Sequence, residues 1–523
     1  MLCVANFFFF KKSILSINSI FRWFIVFTFG LFNVLWAQFS SLPNHWLFQS
    51  IRDYNILKSD TTLPTNVYPL NPFVYQAFSN VDTNYRMFKY IKNDPALDIM
   101  FEKDVVSIRK NNFHIRINPL INFQKGKVSG DTSFSAYTNT RGFIASVQFD
   151  RVYIETMLSE NQSVFPTYLY QYSKSTGVVP GQGRWKTFKG SGFDYAFSAG
   201  IVSVQATKNL NITLGTGKQK IGNGYRSLLL SDNAFVYPYI KFEQLWWKGR
   251  LQYICNYAML NNLVSASRSI PKNTERLFQK KIFVYHYLNV GITKHTRVGF
   301  FQSIVSETPD DRNVWRGDGI VFSPVIFTQL AYYGLNQQNN VMIGMDMQQK
   351  LLKNVVIYGQ VILDNDSIFH NQDGGYGYQL GFKWLGKWQD WRIMLLSEWN
   401  DVRKNIGFSV WPTIPSYTPP VVNPGSSYTH FGQSMNYTPE VGNELVSMLA
   451  IKKKRWITAF QINSQDNDMA RVLYTKFLFG FVLNSSYNLL INLGIENRQA
   501  FNQNSNYIYL QLQTALYNIF YDF

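Results

Sequence analysis

From about residue 104 onward, side chains alternate between apolar and polar, and that period of two excludes most folds. Phe113 to Asn118 reads FHIRIN, and Ala196–Gln205, Ile282–Tyr287 and Tyr507–Thr514 alternate in the same way. Successive strand residues point to opposite faces, so these segments are strands with one apolar face. No helical period is sustained here. Past residue 37 no apolar run reaches the roughly 18 residues that a spanning helix needs.

Composition narrows the choice. Only 16% of the 523 residues are charged, where roughly 25% is usual for soluble chains. Aromatics reach 17%, and mean hydropathy is −0.14. A disordered chain lacks such an aromatic load. A closed membrane β-barrel alternates apolar and polar residues, so its hydropathy cancels. A soluble sandwich or propeller leaves the aromatics and the two termini unexplained.

The connections carry an asymmetry. Short turns rich in Lys, Asn and Gly are read at Lys208-Asn209, Lys248-Gly249, Thr293-Lys294, Lys353-Asn354, Gly386-Lys387, Lys452–Arg455 and Asn484-Ser485. Between them lie long polar stretches: Ile221–Ala234, Asn261–Lys280, Thr308–Asn339, Asp364–Gly375 and Asp401–Asn443. Outer-membrane barrels have short periplasmic turns and long extracellular loops. Tyr517, Ile519, Tyr521 and Phe523 alternate, and are read as a final strand ending in the periplasm, like a bacterial outer-membrane assembly signal. Counting back from it places the short turns in the periplasm and the long loops outside. The expected fold is therefore an all-β, antiparallel transmembrane barrel of the outer membrane. It has 16–18 strands, with 18 favoured when a hairpin near Val105–Arg109 and Phe113–Phe123 is included.

Three segments follow. Residues 1–37 read as a signal peptide: Lys11, Lys12 and Arg22 precede an apolar run from Trp23 to Trp36, and Ala37 precedes Gln38. Residues 38–103 are rich in Asp, Asn, Pro and Thr, and form a small, partly helical periplasmic or plug segment. Residues 104–523 are the barrel. Cys3 and Cys255 provide neither a disulfide framework nor a Cys-based zinc site.

The densest motif is GTGKQKIGNGYRSLLLSDNA, Gly215 to Ala234. It is not a phosphate-binding loop, because Gly217-Lys218 is followed by Gln219 and no crossover helix follows. Gly222 and Gly224 permit backbone angles that other residues resist. Arg226, Ser231, Asp232 and Asn233 then hydrogen-bond either among themselves, in a loop folded inward to brace the lumen, or to a ligand. If Asp232 orients Arg226, replacing either residue should have a similar effect.

The run Ile221 to Ala234 resembles the Wzi-like capsule-assembly family of outer-membrane proteins, and its relatives in gliding bacteria, the motility protein RemB. Glu160–Pro166 (ENQSVFP) and Tyr428–Gln433 (YTHFGQ) support the resemblance. The family's usual His-Pro near Ser434–Leu445 is replaced by SMNYTPEVGNEL. The resemblance implies an 18-stranded barrel, an N-terminal helical plug and lectin-like attachment of surface polysaccharide.

No catalytic motif appears. The six His residues, at 45, 114, 286, 295, 370 and 430, form no His-Glu-x-x-His, and there is no Gly-x-Ser-x-Gly elbow. No enzyme activity, cofactor or metal is expected. The net charge of +18 suits lipid phosphates and an anionic polysaccharide rather than nucleic acid. Trp185, Trp315, Trp411, Tyr417 and Tyr428 fall in outward loops, where they either stack on sugars or form an interfacial girdle. The expected partners are outer-membrane lipid, surface polysaccharide, and motility or capsule-export proteins. The runner-up function is a diffusion channel or uptake porin, because fold alone does not separate the two.

Overall fold

The structure is a computed structural model. It describes residues 45–58, 63–75, 95–130, 133–265, 278–307, 318–333, 339–364, 375–403, 426–436, 442–467, 471–500, 503–515 and 517–523. The expected leader at 1–37 and the aromatics Trp315, Trp411 and Tyr417 lie outside these residues.

Eighteen described strands close into one antiparallel barrel. The first six are β1 Phe113–Gly130, β2 Phe134–Phe149, β3 Val152–Val164, β4 Gly192–Gln205, β5 Leu210–Gly217 and β6 Tyr237–Trp246. Next come β7 Leu251–Ser265, β8 Phe278–Gly291, β9 Thr296–Glu307, β10 Asn340–Leu352, β11 Val355–Asp364 and β12 Gly375–Trp388. The last six are β13 Trp391–Arg403, β14 Gly442–Lys453, β15 Trp456–Asn467, β16 Arg471–Asn484, β17 Leu489–Ala500 and β18 Gln503–Thr514. Each pairs with its chain neighbour, and β18 closes the ring on β1 through Ser505–Gln513 against Gly130–Asn122. Closure pairs each of the eighteen described wall strands on both sides. The first arm of the expected hairpin, Val106–Lys110, is a short flap on the start of β1.

The two faces of the wall are inverted relative to a soluble protein. On β3, Glu155, Ser159, Asn161 and Ser163 point inward and are buried, while Ile154 and Leu158 point outward and are exposed. The same alternation leaves Leu214 60% exposed and Leu510 57% exposed on the outer face. Only acyl chains make that arrangement favourable, so the barrel spans a membrane in the outer-membrane manner. Trp247, Trp388 and Trp456 stand exposed beside the short-turn rim, where indole rings favour the lipid–water interface.

The sequence reading misplaced one turn. Gly386 and Lys387 lie inside β12, and the chain reverses at Gln389-Asp390, where Trp388 pairs with Trp391. Gln389 takes a φ of 50° there. A larger correction concerns the tail after Thr514, whose described residues, 515 and 517–523, form no strand. The last wall strand ends at Thr514 on the short-turn rim, so the parity argument survives without them. Beyond it the chain turns back into the lumen, and Phe520 and Asp522 are buried there. Their alternation reflects packing against two sides of the interior rather than against lipid.

Helix α1 (Trp46–Lys58) occupies the short-turn end of the lumen. Its Leu47 and Phe48 pack on Leu385, Met394, Ile457 and Leu490 from the inner wall, and Asp53 pairs with Lys383 at 3.0 Å. Residues Val67–Tyr68 then pair with Lys220–Ile221 inside the barrel. Helix α2 (Pro95–Phe101) sits at the rim, where Asn484 donates to the carbonyl of Ile99 at 3.0 Å.

Candidate functional site

The segment after β5 does not project from the barrel: it crosses the lumen. Leu228, Leu229 and Leu230 are fully buried against inward aromatics of the wall, including Tyr237, Phe283 and Tyr285. Gly222 has a φ of 142°, and a Cβ there would lie 2.5 Å from Gln360 Nε2. Its conformational freedom is therefore required. Gly224 serves a different purpose from the one expected. Its φ is not in the left-handed region, but a Cβ would lie 2.4 Å from Glu398 Oε2. The missing side chain lets Glu398 accept the backbone N–H groups of Tyr225 (2.8 Å) and Arg226 (2.9 Å).

Arg226 has 0% exposure. Its Nη2 donates to Glu444 Oε1 at 2.8 Å and its Nε to Glu444 Oε2 at 3.2 Å. The remaining arm, Nη1, donates to Asp522 Oδ1 at 3.1 Å. The guanidinium lies 4.8 Å from the Tyr225 ring centroid and 5.2 Å from that of Phe520. Two carboxylates and two aromatic faces thus use the fork, the bidentate geometry that makes Arg suitable for buried pairing. Glu444 lies in the stretch where the sequence departs from the family pattern. Asp522 lies in the tail read as a wall strand. Neither partner was foreseen.

Asp232 does not orient Arg226. Its side chain accepts from Asn518 Nδ2 at 3.3 Å, and its carbonyl accepts from Lys218 Nζ at 2.9 Å. Burial pushes the Lys218 ammonium down to about 8, partly offset by the Asp232 charge. Asn233 donates to the carbonyl of Ser434 at 3.3 Å, and the Ser231 N–H to that of Met435 at 2.7 Å.

These last contacts join the motifs that carried the resemblance. Thr429–His430 and Gln433–Ser434 pair as a hairpin around Phe431-Gly432. Tyr428 is fully buried and its hydroxyl donates to the Leu229 carbonyl at 2.9 Å, so it is not available for stacking on a sugar. Gln433 accepts from the Gly181 N–H and donates to the Gln182 carbonyl, both at 2.9 Å. Phe165 of the ENQSVFP segment meets Phe193 at 5.5 Å and Tyr521 at 5.9 Å between ring centroids. Three sequence-distant motifs and the tail therefore interlock inside one lumen.

The long-loop mouth differs from this interior. Helix α3 (Thr167–Thr176) and the chain up to β4 lie there. Lys174, Arg184, Lys186 and Lys189 are exposed, and residues 165–193 contain no acid. Trp185 stands among them, half-buried. Its indole N–H donates to the Ser173 carbonyl at 2.8 Å, and Lys174 Nζ lies 4.5 Å from its ring. This four-cation run is legible in the sequence.

No protein-family model and no curated protein matches the chain. Among solved structures it superposes on Wzi of Escherichia coli, an outer-membrane, carbohydrate-binding β-barrel involved in group 1 capsule assembly. The superposition covers 91% of this chain and 99% of that one, with a TM-score of 0.53 and 12% identity. The chain has the Wzi fold. That is the architecture the sequence resemblance implies. OpdK of Pseudomonas aeruginosa matches over 76% of this chain and 98% of its own, with a TM-score of 0.42 and 9% identity. OccAB2 of Acinetobacter baumannii gives 76%, 97%, 0.40 and 10% for the same four quantities. On the Wzi-type barrel described here, the basic loop and Trp185 lie at the long-loop mouth, and the Arg226 cluster lies beneath them in the lumen.

Proposed function

We propose that this protein is a non-enzymatic outer-membrane barrel that holds an acidic surface polysaccharide at its long-loop mouth. The observation that carries this reading is the set of four exposed cations, Lys174, Arg184, Lys186 and Lys189, around Trp185 in a stretch, 165–193, that contains no acid, with Asp194 next to it facing Lys186 across a strand pair. The surplus of cations over the single facing carboxylate of Asp194 attracts uronate or sulfate groups, and an indole is a suitable surface for a sugar ring. The Gly222–Asn233 motif takes the mouth-closing role: Arg226 is saturated by Glu444 and Asp522 and serves as a lock. The likeness to Wzi supports this reading at the level of fold.

The porin alternative requires an open lumen, whereas the segments containing Tyr68, Leu229, Tyr428 and Phe520 are all buried within it. Two measurements on purified protein test the proposal. Lys186→Glu with Lys189→Glu should weaken binding of an acidic polysaccharide by about 1–2 kcal/mol, roughly tenfold. Binding by the parent should fall as salt rises. In a planar bilayer the parent should pass no steady current. A large steady conductance together with unchanged glycan binding in the double variant would establish the porin reading instead.

A further inference from the structure

One stretch of wall departs from the rule that outward residues are exposed and apolar. On β8, Lys281, Tyr285 and Tyr287 point into the lumen, where they bond Ser427, Gln219 and Asp346. The residues between them, Ile282, Val284 and His286, therefore face outward, yet all are buried. Gln302 on β9, the register partner of His286, is likewise fully buried on the outer face.

The cover is the segment 318–333, which contains a 3-10 turn at Gly319–Phe322 and helix α4 (Thr328–Tyr333). The sequence reading placed it in an extracellular loop. It lies instead on the outside of the wall. Val321 packs with Ile282, Val284, Ile304 and Val341, and Leu330 and Tyr333 join them. The hydroxyl of Tyr257 donates to the Phe322 carbonyl at 3.0 Å, and that of Tyr253 to the Pro324 carbonyl at 2.5 Å. Gln302 donates to Gln329 at 3.0 Å. Gln329 Nε2 lies 3.1 Å from His286 Nε2, and the Tyr253 hydroxyl lies 3.0 Å from His286 Nδ1. One assignment satisfies both ring nitrogens: Nε2 accepts from Gln329, and Nδ1–H donates to Tyr253.

The depth of this contact is set by the strands. Tyr253 is two residues from the short-turn end of β7, and Ile282 is four residues from the long-loop end of β8. The segment thus covers the height of wall that elsewhere faces acyl chains. Its own outer surface continues that belt: Val325 is 59% and Tyr332 62% exposed, and Phe322 and Phe327 are exposed beside the outward Met259, Phe300 and Met345. From 318 to 333 the only charged residue is Asp318, in contrast to the four cations of the mouth loop.

We propose that residues 318–333 form an intramembrane flap. It covers a polar patch of wall built from His286, Gln302 and Tyr253, and binds the acyl chains of the bilayer through Phe322, Val325 and Phe327. The Tyr332 hydroxyl is engaged by the Asp318 carboxylate. A polar group facing hydrocarbon without a partner costs several kcal/mol; here each is paired beneath an apolar cover.

The test uses the full chain with Cys3 and Cys255 replaced by serine, reconstituted in phosphatidylcholine vesicles. Bimane is attached at Val325→Cys or, as an exposed mouth control, at Lys189→Cys. Unchanged heat-modifiable migration confirms folding, and Phe322→Cys replaces Val325→Cys if the latter fails that check. Acyl-brominated phosphatidylcholine should quench the probe at 325 several-fold more than at 189. A charged, water-soluble maleimide should react at 325 at least about tenfold more slowly. Rapid reaction at 325 without bromolipid quenching would overturn the proposal in favour of an aqueous loop. Protection from both reagents would overturn it in favour of a second protein copy covering the patch.

Discussion

Arg226 illustrates how one side chain changes meaning between sequence and structure. In sequence it is a cation among glycines and short polar residues, equally suited to a sugar or to a scaffold. In the structure its donors are shared by Glu444 and Asp522, and the two acids are buried with it. Arg226→Ala would leave both carboxylates buried without a counter-cation, held only by neutral donors such as Tyr225 and Asn463 on Asp522 and Gln465 on Glu444, so it should destabilise the barrel by about 3–5 kcal/mol, with polysaccharide binding retained in the folded fraction. Lost binding in a fully stable variant would return the residue to the binding site. His430 gives a second residue-scale expectation. Burial, with the Lys281 charge, holds its imidazole down at about 3, and burial does the same to His45, aided by Lys476. Unfolded chains bind those protons near pH 6.5. Between pH 6.5 and 3 the unfolded state therefore holds more protons, and stability falls as pH drops through that window. His430→Gln should flatten that acid limb in thermal unfolding. An identical pH profile would show that His430 does not drive it.

At the scale of elements, the tail at 515–523 is the clearest case of a pattern legible in sequence whose location was not. The alternation of Tyr517, Ile519, Tyr521 and Phe523 is real. Alternation reports an extended segment with two different sides, and both a lipid-facing strand and an extended plug satisfy that. The distinction comes from partners far away in the chain. Tyr225 donates to Asp522 at 3.0 Å, Asn463 donates to it at 2.6 Å, and Arg498 donates to the Phe523 carbonyl at 2.8 Å. Phe520→Ala combined with Asp522→Ala should remove about 3 kcal/mol or more of docking energy. It should allow ion conductance through a wall that still migrates as folded. A variant as non-conducting as the parent would show that the remaining lumenal segments suffice to close it. The misplaced turn at Gly386-Lys387 has the same origin. Lys and Gly mark many turns, but the register of Trp388 against Trp391 set the reversal three residues later.

For the whole molecule, strand parity predicts sidedness. An epitope tag after Ser265, at the long-loop end of β7, should be reached by antibody on intact cells. A tag between Lys353 and Asn354, in the turn between β10 and β11, should be reached only after lysis. The reverse labelling would invert the barrel and move the basic loop to the periplasm. The wall was readable because its rules are local: a period of two, turn residues, and a length matched to the bilayer act within a dozen residues of one another. The Gly-rich motif was also visible locally, since Gly222 answers to its own backbone angle. What filled the lumen was not visible locally. Arg226 and Asp522 are 296 residues apart, and Asn66 meets Asp346 across 280. Nor did hydropathy show that 318–333 lies on the outer wall, because an apolar run reads the same whether it covers a core or faces lipid. Sequence alone determined that this chain closes into a barrel and which rim carries the long loops. The tertiary structure decided which segments occupy the interior, because inward positions specify only a polar, enclosed surface, and which segments satisfy it depends on partners the chain brings together only on folding.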